Sequence, residues 1–306
     1  MLRTPILAAS RSPRVRALVA GAPVSRAVVR RFVAGESLDD AVRATRELLA
    51  AGLTVSLDHL GEHTTDAGQA TTTTKAYLQL LGRLADEGLT GGAEVSVKLS
   101  ALGQSLDQAM CRDNATAVVE AATSAGTTVT LDMEDSATTD STLAVLRDLR
   151  AEFPATGAVL QAYLRRTEGD CRDLATDGSR VRLCKGAYEE PASAAYQSRA
   201  EVDRSYVRCL RVLMEGAGYP MVATHDPRLV AIAGSLARTN GRAHGSYEYQ
   251  MLYGVRPHEQ RRLAAAGETV RVYVPYGTEW YAYLMRRLAE RPANVGFFLR
   301  ALASRS

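Results

Sequence analysis

Along this chain, short aliphatic runs recur, each followed by a longer stretch whose apolar residues fall three and four apart. A period of two, or a brief continuous apolar run, predicts a strand; a period near 3.6 predicts a helix. On this basis strands are expected at residues 53–58, 94–99, 128–132, 158–163, 181–185, 221–224, 247–250 and 270–273. Helices are expected at 73–86, 108–124, 141–152, 192–215, 227–238 and 257–266. A further helix opens at Ser37, with Asp39 and Asp40 favourable in its first turn, and closes at Ala51-Gly52. Strands alternating with helices pair in parallel through right-handed crossovers. Eight such units predict a (β/α)8 TIM-like barrel. A doubly wound open sheet is the rival, but no G-x-G-x-x-G fingerprint follows the first strand. The expected layout is one barrel unit over 1–306, with a helical flank to about residue 52.

The last predicted strand leads into an unusual segment. Val270, Val272 and Val274 alternate with Arg271 and Tyr273, and Pro275 is expected to stop the ladder because it has no N–H. Gly277 permits a turn, and Thr278 suits a helix N-cap. Beyond it, Trp280, Tyr281, Leu284, Met285 and Leu288 share one helical stripe, with Tyr283, Arg286, Arg287 and Glu290 on the opposite face. Read alone, that polar face meets water. Two adjacent guanidiniums beside a tyrosine would also make a carboxylate clamp, since each fork can donate two parallel hydrogen bonds.

Composition narrows the partners. The net charge of +3 comes without lysine-rich runs or interleaved aromatics, which argues against nucleic acid. Only Lys75, Lys98 and Lys185 among the 37 basic residues are lysines, and the last two fall at strand ends. Four cysteines without C-x-x-C spacing fit a reduced, cytoplasmic setting. The first 35 residues hold seven arginines and no acid, read here as a basic helical flank packed on the barrel.

In a barrel of this kind, chemistry belongs at the C-terminal ends of the strands. Polar residues expected there are Asp58, His59, Lys98, Ser100, Asp132, Glu134, Asp135, Gln161, Arg182, Lys185, Thr224, His225, Glu248, Gln250 and Tyr273. Each has an ordinary alternative. Acids that end a strand often cap the next helix, and His59 and His63 do not complete H-E-x-x-H, so no metal site is expected. Lys98 or Lys185 would form a Schiff base only with a depressed pKa. No G-x-S-x-G elbow supports a serine nucleophile.

At these strand ends the sequence resembles the flavin-dependent proline dehydrogenase family. The resemblance is carried by Val95-Ser-Val-Lys-Leu-Ser-Ala-Leu102, Leu131-Asp-Met-Glu-Asp135, Leu160-Gln-Ala-Tyr-Leu-Arg-Arg166 and Val181-Arg-Leu-Cys-Lys-Gly-Ala-Tyr188. It continues through Ala223-Thr-His225, Tyr247-Glu-Tyr-Gln-Met-Leu-Tyr-Gly254 and the segment 270–290, with Leu60-Gly61-Glu62 as a fainter match upstream. No aldehyde dehydrogenase or DNA-binding segment is recognisable, so the monofunctional form is expected.

The resemblance implies a distorted barrel that holds FAD at the strand ends, with its last helix across the mouth. Cofactor contacts would fall on Met133, Gln161, Arg182, Lys185, Gly186, Ala187, Thr224 and His225, with Gly186 letting backbone approach the cofactor. Asp132 and Arg182 would lie at the reacting centre. Lys98, Arg286 and Arg287 would hold the substrate carboxylate, Tyr188, Leu252, Tyr273 and Tyr283 would shape the pocket, and Glu62 and Glu290 would orient the arginines. Glu189 stands where many relatives have tryptophan. The implied reaction is oxidation of L-proline to Δ1-pyrroline-5-carboxylate with hydride transfer to FAD. A membrane quinone would reoxidise the flavin at the inner membrane face, and a pyrroline-5-carboxylate dehydrogenase would act downstream. Two other readings remain at this point: a lysine Schiff-base lyase or aldolase on the same barrel, and a non-catalytic flavin- or amino-acid-binding barrel.

Overall fold

The computed structural model describes residues 29–290, except His63 and the side chains of Arg286, Leu288, Ala289 and Glu290. Its strands are β1 (Thr54–His59), β2 (Ala93–Val97), β3 (Val129–Leu131), β4 (Gly157–Gln161), β5 (Arg180–Cys184), β6 (Tyr219–Ala223), β7 (Glu248–Leu252) and β8 (Val270–Tyr276). All pair in parallel in sequence order, and β8 closes on β1. Helix α1 (Leu38–Ala50) precedes β1. The crossovers carry α2 (Ala67–Asp86), α3 (Gln108–Ser124), α4 (Thr139–Glu152), α5 (Thr167–Leu174), α6 (Arg199–Glu215), α7 (Pro227–Thr239) and α8 (Pro257–Ala265). A final helix, α9 (Trp280–Glu290), follows β8. The expected barrel is present, and the open sheet is excluded by the closure.

Local chemistry sets the boundaries. α1 opens with a capping box, Ser37 and Asp40 each accepting from the other's backbone N–H. α2 starts at Ala67, about a turn and a half before the expected Thr73. Its N-cap is Asp66, whose carboxylate accepts the Gln69 N–H, and this outweighs the low helix propensity of the threonine run behind it. Conversely, α6 starts only at Arg199, because Pro191 precedes an irregular stretch and a second capping box, Ser198 with Glu201, fixes the true start. Helix α5 was not foreseen: its eight residues carry too little apolar periodicity to register.

Pro275 does not stop β8. The strand runs on through it, pairing Asp58 with Pro275 and His59 with Tyr276. Tyr276 turns its carbonyl to β1, accepting Leu60 N–H at 2.8 Å, so the neighbouring Pro275 faces the β7 side. There β7 has already ended, and no ladder bond needs the missing N–H. The Pro275 carbonyl accepts Ala34 N–H at 3.0 Å, and Gly35 O accepts Gly277 N–H at 3.0 Å. The segment just before α1 therefore ties the strand to the amino-terminal flank.

That flank also packs beneath α9. Residues 29–32 are helical, and Phe32 and Val33 form a buried cluster with Leu60, Trp280, Tyr281, Tyr283, Leu284 and Met285. Trp280 donates its indole N–H to Glu36 at 2.7 Å. Gly254 shows how close the approach is: at φ +70°, a Cβ there would lie 1.6 Å from Arg31 O. Residues before 29, including the first part of the expected basic flank, lie outside the described residues.

Candidate active site at the strand C-termini

The inward-facing positions of the barrel are polar through most of its depth, where aliphatic layers are usual. Ser56 and Asp58 on β1, Glu94 and Ser96 on β2, Thr130 on β3, Arg182 on β5, and Glu248 and Gln250 on β7 are all buried. Arg182 is the hub. Its Nη1 donates to Ser96 Oγ (2.8 Å) and Asp132 Oδ1 (2.9 Å), and its Nη2 to Ser56 Oγ (3.0 Å) and Glu94 Oε1 (3.3 Å). The guanidinium also lies over the Tyr273 ring, 5.3 Å from its centroid. Its Nε is buried with no partner among the described residues. An unfilled charged donor in such a site is costly unless something at the mouth accepts from it.

Directly above, Lys98 follows β2 and is only 7 % exposed. Its ammonium donates to Asp58 Oδ2 (2.7 Å) and Tyr273 Oη (3.3 Å), and Asp132 Oδ2 lies at 3.4 Å. Burial alone would lower its pKa, but Asp58, with further help from Tyr273 and Asp132, holds it well above the ordinary lysine range. Asp132 accepts from Ser96 Oγ (2.8 Å), Arg182 and Tyr273 Oη (2.7 Å). Burial works against its ionised form, yet Lys98 and Arg182 keep its carboxyl below the usual range. Burial raises the Asp58 carboxyl instead, against the pull of Lys98, and leaves Oδ1 without a partner among the described residues. An amine so firmly protonated is not a nucleophile, which removes the Schiff-base reading for Lys98. Lys185 is likewise ion-paired, with Asp203 and Asp226.

The other expected residues divide by position. Met133 and Gln161 are buried at the ends of β3 and β4, Gln161 donating to the Glu134 carbonyl at 2.6 Å. Thr224 caps the next turn, accepting Asp226 N–H at 3.1 Å. His225 Nε2 accepts Leu252 N–H at 2.9 Å, so in the neutral ring the proton sits on Nδ1. Ala187, Tyr188 and Leu252 are half-buried around the same mouth. Gly186 has φ +105°, and a Cβ there would meet the Tyr163 ring at 2.1 Å. Its glycine is therefore required by Tyr163 and by backbone conformation, whatever approaches from outside. Asp135 acts as the ordinary alternative predicted, accepting Thr138 N–H at 3.0 Å.

Two placements differ from expectation. Glu248 and Gln250 lie on β7 well before its C-terminal end; Glu248 opens the strand and belongs to the opposite end of the barrel. There it accepts from Arg271 at 2.8 and 3.1 Å. Tyr283 is not on an open polar face but is buried in the α9 cluster. Arg287 stacks its guanidinium on Tyr283, 5.3 Å from the ring centroid. Glu62 is half-buried just beyond β1. Arg287, on the helix that follows β8, and Glu62 therefore both lie on the C-terminal side of the barrel. The side chains of Arg286 and Glu290 lie outside the described residues.

The sequence profile of the proline dehydrogenase family matches residues 41–300, which includes every strand of the barrel. The chain belongs to the proline dehydrogenase family. It is 36 % identical over 281 residues to proline dehydrogenase 2 of Bacillus subtilis (strain 168), covering 92 % of both chains. It is 39 % identical over 277 residues to the proline dehydrogenase of Deinococcus radiodurans, covering 89 % of each. Among solved structures, the proline utilization A protein (PutA) of Bdellovibrio bacteriovorus, inactivated by N-propargylglycine, superposes with a TM-score of 0.79 at 26 % identity. That match covers 86 % of this chain and 32 % of the PutA chain. The protein is thus an oxidoreductase of proline catabolism that oxidises proline.

For a proline dehydrogenase, sequence reading missed Asp58 as the direct partner of Lys98, and missed Ser56, Ser96 and Glu94 as acceptors of Arg182. The available signal was register: 56 and 58, and 94, 96 and 98, alternate with Val and Leu neighbours on strands otherwise aliphatic. Polar residues at every second position of a buried strand point into the barrel.

Proposed function

We propose that the protein oxidises L-proline to Δ1-pyrroline-5-carboxylate with FAD bound at the C-terminal mouth of the barrel. The observation that carries the reading is the buried Nε of Arg182, which has no partner among the described residues, within a guanidinium otherwise fixed by four acceptors. A flavin ring edge would supply an acceptor for this donor. Met133, Gln161, Gly186, Ala187, Thr224 and His225 would line the cofactor, and Lys185 would meet its phosphates by exchanging contact with Asp203 or Asp226. When bound, FAD supplies a two-electron sink for hydride from the substrate's C5.

The remaining work falls to side chains. Arg286 and Arg287 would grip the proline carboxylate from α9, with Lys98 adding positive potential beneath it. Lys98 already has three oxygens within 3.4 Å, so its direct bond to substrate would replace one of them. Tyr188, Leu252, Tyr273 and Tyr283 would enclose the ring, and Glu62 and Glu290 would orient the arginines. The substrate amine must be neutral to expel hydride. Positioning supplies most of the rate, as expected where the reacting atoms are preassembled. A membrane quinone is the proposed acceptor for reoxidation, at the inner face of the membrane. Among the described residues no helix is long and apolar enough to cross that membrane.

The test is a visible spectrum. Protein reconstituted with FAD should absorb as a flavoprotein and bleach when L-proline is added without oxygen. Failure to take up FAD, or a bound flavin that proline does not reduce, would refute the proposal.

A further inference from the structure

Below Arg182 lies a buried acid that proline oxidation, as described above, leaves without a role. Glu94 points into the barrel from β2 and is 1 % exposed. Its Oε2 accepts from Arg180 Nη2 (2.6 Å) and Thr128 Oγ1 (3.1 Å). Its Oε1 accepts from Arg182 Nη2 (3.3 Å) and Thr130 Oγ1 (3.2 Å), and Arg271 Nε lies at 3.8 Å. One carboxylate therefore meets three guanidiniums. Burial opposes its charge, but Arg180, Arg271 and Arg182 hold the carboxyl far below its ordinary range, so it stays an anion. Neutralising the other two arginines does not require contact with Arg182. Arg271 has both oxygens of Glu248, and Arg180 has further acceptors in Thr128 and the Ala155 carbonyl.

We propose that Glu94 is a positioning residue that acts through Arg182 to set the reduction potential of the flavin, an inference that rests on the FAD reading above. Arg182 is held from both sides: Ser96 and Asp132 take Nη1, Ser56 and Glu94 take Nη2. This fixes the guanidinium plane and leaves Nε as the one donor to offer. It also divides the Arg182 charge between an acid below and an acid beside the mouth. Removing the lower acid leaves more positive potential at the mouth, which favours the negative charge that a reduced flavin ring acquires. A cavity of about 450 Å³ lined by Glu94, Arg180, Tyr219 and Arg271 opens at the N-terminal end of the barrel, the end away from α9.

Glu94→Gln keeps the shape and loses the charge. Its bound flavin should be easier to reduce by about tenfold in the equilibrium, about 30 mV for a two-electron couple. The proline KM should stay within about twofold, since Glu94 lies near the start of β2, at the end of the barrel away from α9. Arg180→Gln, which leaves the Glu94 charge less neutralised, should shift the potential the opposite way. Glu94→Asp should restore it towards wild type. A merely structural Glu94 predicts a lower Tm with the potential unmoved, and that result in Glu94→Gln overturns the inference. If Glu94→Gln does not fold, an unmoved potential in Arg180→Gln overturns it instead. Wild-type protein that takes up no FAD refutes the parent reading as well, whereas wild type reduced by proline beside variants of unchanged potential refutes this inference alone.

Discussion

At Lys98, three oxygens within 3.4 Å surround an ammonium that is almost out of reach of water. Lys98→Met would leave Asp58 and Asp132 facing each other without that cation. Breaking a buried ion pair by removing one partner costs about 3–5 kcal/mol. Urea unfolding should show a loss of that size, together with failure of proline to reduce the flavin; a loss below about 1 kcal/mol would show the cluster to be solvated. Arg287→Met tests the other side of the mouth. Charged hydrogen bonds contribute about 1.5–3 kcal/mol each, so the proline KM should rise by about 10²-fold. FAD content should change much less. Unaltered proline kinetics would mean that Arg287 does not hold the carboxylate.

For the elements, α9 is the part whose position matters most. Its apolar stripe packs on Phe32, Val33 and Leu60, and Trp280 is pinned to Glu36. The helix that carries Arg287 is thus seated on the segment preceding α1. Phe32→Ala should cost about 3–5 kcal/mol of stability. It should also raise the proline KM, because α9 would no longer be held at one height over the mouth. Thermal melts and steady-state kinetics on the same preparation separate the two effects: a reduced Tm with an unchanged KM would show that the flank supports stability only. The strand before α9 makes a related point. Pro275 reads as a stop when β8 is considered alone, and as a harmless strand residue once β7 is seen to end before it.

Across the whole molecule, the barrel interior is a balanced charge system: Arg180, Arg182, Arg271 and Lys98 face Glu94, Glu248, Asp58 and Asp132. The balance has a pH signature. Glu94 titrates lower in the folded than in the unfolded chain, so its stabilisation is fully present above the ordinary glutamate pKa of about 4.3. As pH falls below that value the contribution is lost, at about 1.4 kcal/mol per pH unit. Melting curves of wild type and Glu94→Gln should therefore differ most near neutrality, and the gap should narrow progressively as pH falls below about 4. A constant gap would mean that Glu94 is not held ionised by the arginines.

What the sequence determined by itself was the alternation of strand and helix, the barrel class, and the presence of Lys98, Asp132 and Arg182 among the polar residues of the strands. Those follow from local periodicity and from motif spacing, which do not depend on distant contacts. Helix α5 was lost because eight residues are too few to display a period. The partners were decided only by tertiary structure. Asp58 reaches Lys98 across forty positions and Glu94 reaches Arg182 across eighty-eight, through the closure of a sheet whose interior angles no local pattern records. The height of α9 was likewise set from outside it, by Phe32, Val33 and Glu36. An amphipathic stripe says that a helix must be covered, while the long-range packing of the chain decides what covers it.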